Sequence, residues 1–208
     1  MPLPPPVDRE PLPRRALDLR GYRRADGLFD VEARLTDTKG YAVDNRWRGR
    51  LAPGTAIHDM WLRLTVDENL TVVGVSAVTD AAPYPVCDAI TPAFRKLEGL
   101  TIGPGWRRDV AKRLGGVQGC THLVELLAPL ATTAMQTIVP LRERTAPDPR
   151  RPPGHLDSCH ALRRDGDAAG ITQIACRAHQ RLARIVMGQP GVVLRHREHQ
   201  PARVAQRQ

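Results

Sequence analysis

The sequence predicts an α+β domain, with helices packed on one face of an antiparallel sheet of hairpins. Three observations predict it. Apolar residues recur at every second position before residue 80. They recur at steps of three and four after residue 106. Short polar turns join the period-two runs, so strands come first and helices afterwards.

Taken in chain order, residues 1–16 are Pro-rich and lack periodicity, and are expected to form an extended leader. The span 17–140 is the expected core domain. Leu17, Leu19 and Tyr22 lead to Ala25-Asp26-Gly27, where Asp-Gly favours a hairpin turn. Phe29, Val31, Ala33 and Leu35 then alternate with Asp30, Glu32, Arg34 and Thr36, giving one buried and one wet face. Met60–Val66 and Leu70–Val78 form a second hairpin around the polar turn Asp67-Glu68-Asn69. Pro83 and Pro85 take the chain out of the sheet. Short helices are expected over 89–98 and 106–114, the second ending at Gly115-Gly116. The strongest helical stripe, Leu123, Leu126, Leu127, Leu130, Ala131, Ala134 and Ile138, predicts a long helix over 121–138, kinked at Pro129. Residues 141–166 read as a Pro/Arg linker and a Cys-His segment, and 167–208 as a basic disordered tail.

The charge of +9 divides unevenly. Residues 1–140 hold 18 basic and 16 acidic residues, whereas 141–208 hold 13 Arg and 6 acids. The basicity therefore belongs to the tail, which has no aromatics for base stacking, so nucleic acid is not the expected partner. No run approaches the ~20 apolar residues that span a bilayer. The N-terminus lacks the apolar run of a signal peptide. No membrane partner is expected, and the chain reads as cytoplasmic, with Cys87, Cys120, Cys159 and Cys176 reduced.

Four segments place chemistry beside predicted element ends: Ile57-His58-Asp59-Met60, Pro85-Val86-Cys87-Asp88, Gly119-Cys120-Thr121-His122 and Asp157-Ser158-Cys159-His160. His58 and Asp59 stand before a strand, Cys87 in the loop after its partner, and Cys120 at the start of the long helix. All can converge at one edge of the layer. A thiolate at a helix N-terminus is favoured by the unpaired N–H groups, so Cys120 is expected to be acidified and is the candidate nucleophile. Cys, His and carboxylate together suit zinc or an iron–sulfur cluster. The candidate metal ligands are His58, Asp59, Cys87, Cys120 and His122, with Glu125, three residues on, able to orient the imidazole. Against this, free Cys is among the most buried residue types, so Cys87 and Cys120 also read as core residues. His58 also suits a structural hydrogen bond, and Cys159-His160 reads as an ordinary pair. Asp37-Thr38-Lys39 and Asp44-Asn45-Arg46 read as turn chemistry and surface ion pairs, or as the wall of a pocket. Gly103-Pro104-Gly105-Trp106 lacks phosphate-loop spacing and reads as a turn with an anchoring Trp.

Leu35–Lys39, Ile57–Arg63, Asp80–Pro85, Gly103–Trp106, Gly119–Leu123 and Leu156–Leu162 together resemble a bacterial family known as domain of unknown function 2889, over about residues 1–166. That resemblance implies no activity. The order of hairpin, Cys loop and Cys-opened long helix is also similar to U-type iron–sulfur scaffolds and sulfur acceptors. By position, this implies ligands at His58 or Asp59, then Cys87, then Cys120, and a protein partner in metal or sulfur transfer. The scaffold's first Cys is replaced here by His58-Asp59. The tail departs from the first family too, and a reading-frame change near residue 166 would explain its composition. The function expected is a metal-binding or sulfur-handling module. The alternatives are a small-molecule enzyme, with Cys120 as nucleophile, His122 or His58 as base and Asp59 orienting it, and lastly a nucleic-acid binder acting through the tail.

Overall fold

A computed structural model describes residues 3–145, 159–163 and 165. The chain divides into two units, 1–146 and 147–208, and the first carries the fold. The basic tail expected over 167–208 lies outside the described residues.

Four strands form an antiparallel sheet: β1 (Pro13–Arg23), β2 (Phe29–Lys39), β5 (Ala56–Val66) and β6 (Val72–Ala81), in that spatial order. A small hairpin, β3 (Val43–Asn45) with β4 (Gly49–Leu51), is inserted between β2 and β5. Asp-Gly turns the first hairpin as expected. Gly27 takes φ 87°, and the Leu28 amide donates to the Asp26 carboxylate at 3.3 Å. The second turn is fixed by Asp67, whose side chain accepts from the Asn69 and Thr71 amides at 2.9 and 2.8 Å. The leader is shorter than expected, since Pro13 already pairs with Lys39. His58 and Asp59 lie inside β5, two residues beyond its start, rather than before a strand.

After β6 the short helix expected over 89–98 forms as a 3-10 segment that starts earlier (Pro85–Leu97). Pro92 has no amide hydrogen to donate, which breaks the helical ladder in the middle of the segment. Helix α1 (Trp106–Leu114) is joined to α2 (Thr121–Thr145) by the Trp106 indole, which donates to the Leu127 carbonyl at 3.1 Å. α2 runs on through Pro129 and Pro140.

The buried face follows the period-two pattern. Phe29, Val31, Ala33 and Leu35 of β2 and Met60, Leu62, Leu64 and Val66 of β5 meet Leu123, Leu126, Leu127, Leu130, Ala134 and Ile138 of α2. The opposite sheet face is charged, as one open face of an antiparallel sheet allows. By length and composition Thr121–Arg142 is apolar enough to cross a bilayer, which corrects the reading that no segment is. Its apolar stripe is used against the sheet: Leu123, Leu126 and Leu130 are fully buried there.

Candidate metal centre

Inward positions on a strand recur every two residues, and three adjacent strands continue their apolar rows into polar residues at the same end of the sheet. In β2 the row Phe29, Val31, Ala33, Leu35 is followed by Asp37. In β5 the row Val66, Leu64, Leu62, Met60 is followed by His58. In β1, Leu17 is followed by Arg15. Pairing aligns these ends directly, Arg15 with Asp37 and Asp37 with His58. The N-terminal turn of α2 closes over the row with His122 and Glu125, three residues apart on one helix face.

Asp37 is the hub. Arg15 donates to it through Nε at 2.7 Å and Nη2 at 2.8 Å, a bidentate grip. The Nδ1 of His58 lies 2.9 Å from Asp37 Oδ2, and the Nε2 of His122 lies 3.9 Å from the same oxygen. The two imidazoles stack with centroids 3.7 Å apart at 33°. On the outer side Arg15 also pairs with Glu125. The side chains of Asp37 and His58 are only 16% and 13% exposed, so their charges are weakly screened.

Electrostatics separates the two groups. Burial pushes the Asp37 carboxyl up, but the Arg15 guanidinium and then His58 outweigh it and hold the carboxyl below its ordinary value. Burial, and then neighbouring His122, hold His58 below its ordinary value, overcoming the opposite pull of Asp37. The result is an ionised carboxylate beside a neutral imidazole. Both are metal-ligating forms. Asp37, His58 and His122 each offer one ligand atom, all within 4.8 Å of one another.

The residues expected from the sequence fall in different places. His58 and His122 come together. Asp59 does not join them: it follows His58 in the strand and so faces the opposite side of the sheet. There Arg34 grips it at 2.8 and 2.6 Å and also lies over the Trp61 ring. The carboxylate beside the imidazoles is therefore Asp37. Cys120 caps α2, its carbonyl accepting from the Val124 amide at 2.8 Å, and its Sγ lies 3.9 Å from His122 Nδ1. Cys87 sits in the 3-10 segment, half-buried and outside the Asp/His cluster. Cys159, in the second unit, is exposed. Arg15 and Asp37 carried a findable signal: each is the next inward position of an apolar row.

A family model described as a protein of unknown function (DUF2889) matches residues 13–136. The chain belongs to that family. All the residues of the centre, from Arg15 to Glu125, lie within the DUF2889 match, and Cys159 lies beyond it. No curated protein and no solved structure matches the chain, so the likeness to U-type iron–sulfur scaffolds rests on residue order alone.

Proposed function

We propose that this DUF2889 domain is a metal-binding module that holds one divalent transition-metal ion, zinc in the first instance, on Asp37, His58 and His122. The observation that carries the reading is the convergence of three ligand atoms, from β2, β5 and α2, within 4.8 Å. Bonds of about 2.0–2.2 Å set tetrahedral ligand edges near 3.3 Å, so small side-chain rotations bring the donors to bonding positions. Imidazole and carboxylate together suit zinc and its neighbours. The charge also fits: Arg15 is offset by Asp37 and Glu125, which leaves one net negative charge to meet the cation. Asp37 Oδ2, His122 Nε2 and one ring nitrogen of His58 are the ligands. Arg15 keeps its hold on Asp37 Oδ1, and the Cys120 sulfur faces the other nitrogen of His122, the place of an outer-shell partner that orients a ligand imidazole. Three protein ligands leave a fourth position open for water or a small molecule.

The test is metal stoichiometry of the purified full chain, stripped and then reloaded with zinc or cobalt. About one ion per chain is expected, lost in His58→Ala and in His122→Ala. A cobalt derivative without a thiolate charge-transfer band is expected, because Cys120 is an outer partner. Folded protein that takes up no metal overturns the proposal. The Cys120–His122 approach favours a second reading, a thiol nucleophile with His122 as its base. It requires metal-free protein whose Cys120 alkylation slows in His122→Ala.

A further inference from the structure

The four-stranded sheet has two edges, β1 and β6, and they are built differently. β6 slips register against β5 near both ends, between Asp59 and Met60 and between Thr65 and Val66, and Thr71, just before it, bridges to Thr101. Such irregularities keep an edge from templating another strand. β1 has no register shift: its eleven residues pair with β2 in one unbroken run. Ladder parity fixes which of its backbone groups are already bonded. The Gly40 amide donates to the Leu12 carbonyl at 2.7 Å, and the Arg24 amide donates to the Leu28 carbonyl at 2.9 Å. Leu12 and Arg24 are both even positions, so the even positions between them bond to β2. The odd positions Arg15, Leu17, Leu19, Gly21 and Arg23 turn their N–H and C=O groups outward, where no strand pairs with them among the described residues.

A second β1 laid antiparallel along this edge must bond odd positions to odd positions, so a two-fold axis passes at the level of one residue. The side chains select that residue. An axis at Asp18 sets Asp18 against itself, one at Leu17 sets Arg14 against Arg20, and one at Arg20 sets Arg20 against itself. An axis at Leu19 sets Asp18 against the partner's Arg20, and Arg20 against the partner's Asp18. These are pairs without backbone bonds, in which opposed side chains stand closest. The same axis sets Leu17 beside the partner's Gly21 and Tyr22 beside the partner's Ala16, a large residue against a small one on each face. Leu17 and Tyr22 are 45% and 42% exposed in the single chain, and this register covers part of each. Arg15 meets the partner's Arg23, but Asp37 and Glu125 already neutralise Arg15. Within one chain Arg20 holds Asp18 at 2.8 Å, so the two need only exchange partners.

We infer that the free edge of β1 pairs with β1 of a second copy of this chain about a two-fold axis at Leu19, joining two four-stranded sheets into one. About ten backbone bonds, two for each odd-position pair, and the two Asp18–Arg20 contacts hold it. One strand pair is a small interface, so the dimer is reversible and dissociates on dilution. It uses no metal ligand and forms whether or not the centre holds an ion.

The test is sedimentation velocity of the full chain over a range of concentrations, with circular dichroism to check folding. Wild type is expected to pass from monomer to dimer. Leu17→Pro removes an outward N–H that β2 does not use, a change an edge strand tolerates, and is expected to be monomeric. Asp18→Arg and Arg20→Asp each set like charges opposite one another across the axis, and each is expected to weaken dimerisation about tenfold. Mixed in equal amounts, the two variants again oppose Arg to Asp at both places, and the dimer is expected to return as a heterodimer. Wild type that stays monomeric at every concentration overturns the proposal and leaves the edge to a strand from another protein. A dimer that persists in folded Leu17→Pro overturns β1 as the interface. Variants that regain no dimer on mixing overturn the axis at Leu19, and that comparison stands even if Leu17→Pro fails to fold.

Discussion

Replacing Asp37 by Asn tests both the architecture of the centre and its proposed metal. The substitution keeps the size and removes the charge. Asp37 accepts two bonds from Arg15 and shares one with His58, all between 2.7 and 2.9 Å. Hydrogen bonds to charged groups contribute about 1.5–3 kcal/mol each. The Arg15 side chain is 41% exposed, so water replaces much of what it loses, and the sum must be discounted. A net loss of about 1–3 kcal/mol follows, or about 3–10 °C in the midpoint of thermal unfolding for a domain of this size. Circular dichroism melts measure it. Zinc at about a hundred times its Kd adds about 2.7 kcal/mol of stability to wild type, a rise of about 8 °C by the same scaling. The variant is expected to show none of that rise. A variant that melts with wild type refutes Asp37 as the hub. A variant that melts lower but still gains the zinc increment leaves the hub intact and refutes the carboxylate as a ligand.

Acid should act on the same group of residues. His58 lies below its ordinary value of 6.5, so near that pH the unfolded chain binds more protons than the folded one, and stability rises with pH. The His58 contribution is present above about pH 6.5 and is lost as pH falls through its folded value. Asp37, held below 3.8, adds a second loss further into acid. Metal-free melting temperatures that stay flat across the first window refute a neutral, buried His58. Asp59→Asn and Cys87→Ala are expected to leave metal content unchanged, since Asp59 lies on the far face of the sheet and Cys87 outside the cluster; loss of metal in either one, measured by elemental analysis, contradicts the ligand set. At Gly21 an added Cβ would lie 1.9 Å from Thr137 Oγ1. Gly21→Ala should therefore destabilise by about 1–3 kcal/mol in urea unfolding. Adding Thr137→Ala should recover most of that, and no recovery would place the cause elsewhere.

The sheet was legible because its code is local. Period two and the Asp26-Gly27 and Asp67 turns specify β1–β2 and β5–β6 from neighbours in sequence. The β2–β5 pairing is not local, yet it follows once both apolar rows must face one helix layer. The β3–β4 hairpin escaped the sequence reading because three-residue strands carry no measurable period, and Asp44-Asn45-Arg46 reads equally well as a turn. The helix expected over 89–98 forms in 3-10 geometry, because its apolar spacing suits both forms and Pro92 disfavours the α ladder.

For the centre, residue types were a poorer guide than residue parity. Sulfur, imidazole and carboxylate near element ends suggested a site, and this rule selected Asp59 because it adjoins His58. Strand geometry forbids that partnership: adjacent residues face opposite sides, and a carboxylate on the far face cannot reach an imidazole on the near one. The rule that works is to extend each buried apolar row until it turns polar. From Leu35 the next inward position is Asp37, and from Met60 it is His58; on the exposed edge strand β1, Arg15 is placed beside Asp37 by its cross-strand pairing. Polar residues at inward positions carry a desolvation cost unless they are paired. Three of them in one cross-strand row, under a helix bringing His122 and Glu125, therefore imply one another's presence. Arg15 satisfies Asp37, Asp37 satisfies His58, and Glu125 satisfies the outer side of Arg15. His122 is the member that this row does not require. It stacks on His58 at 3.7 Å and disfavours protonation of that ring. A second imidazole that makes the first harder to protonate adds little to the ion-pair network. It is well placed if a cation is to be held between the two rings and Asp37.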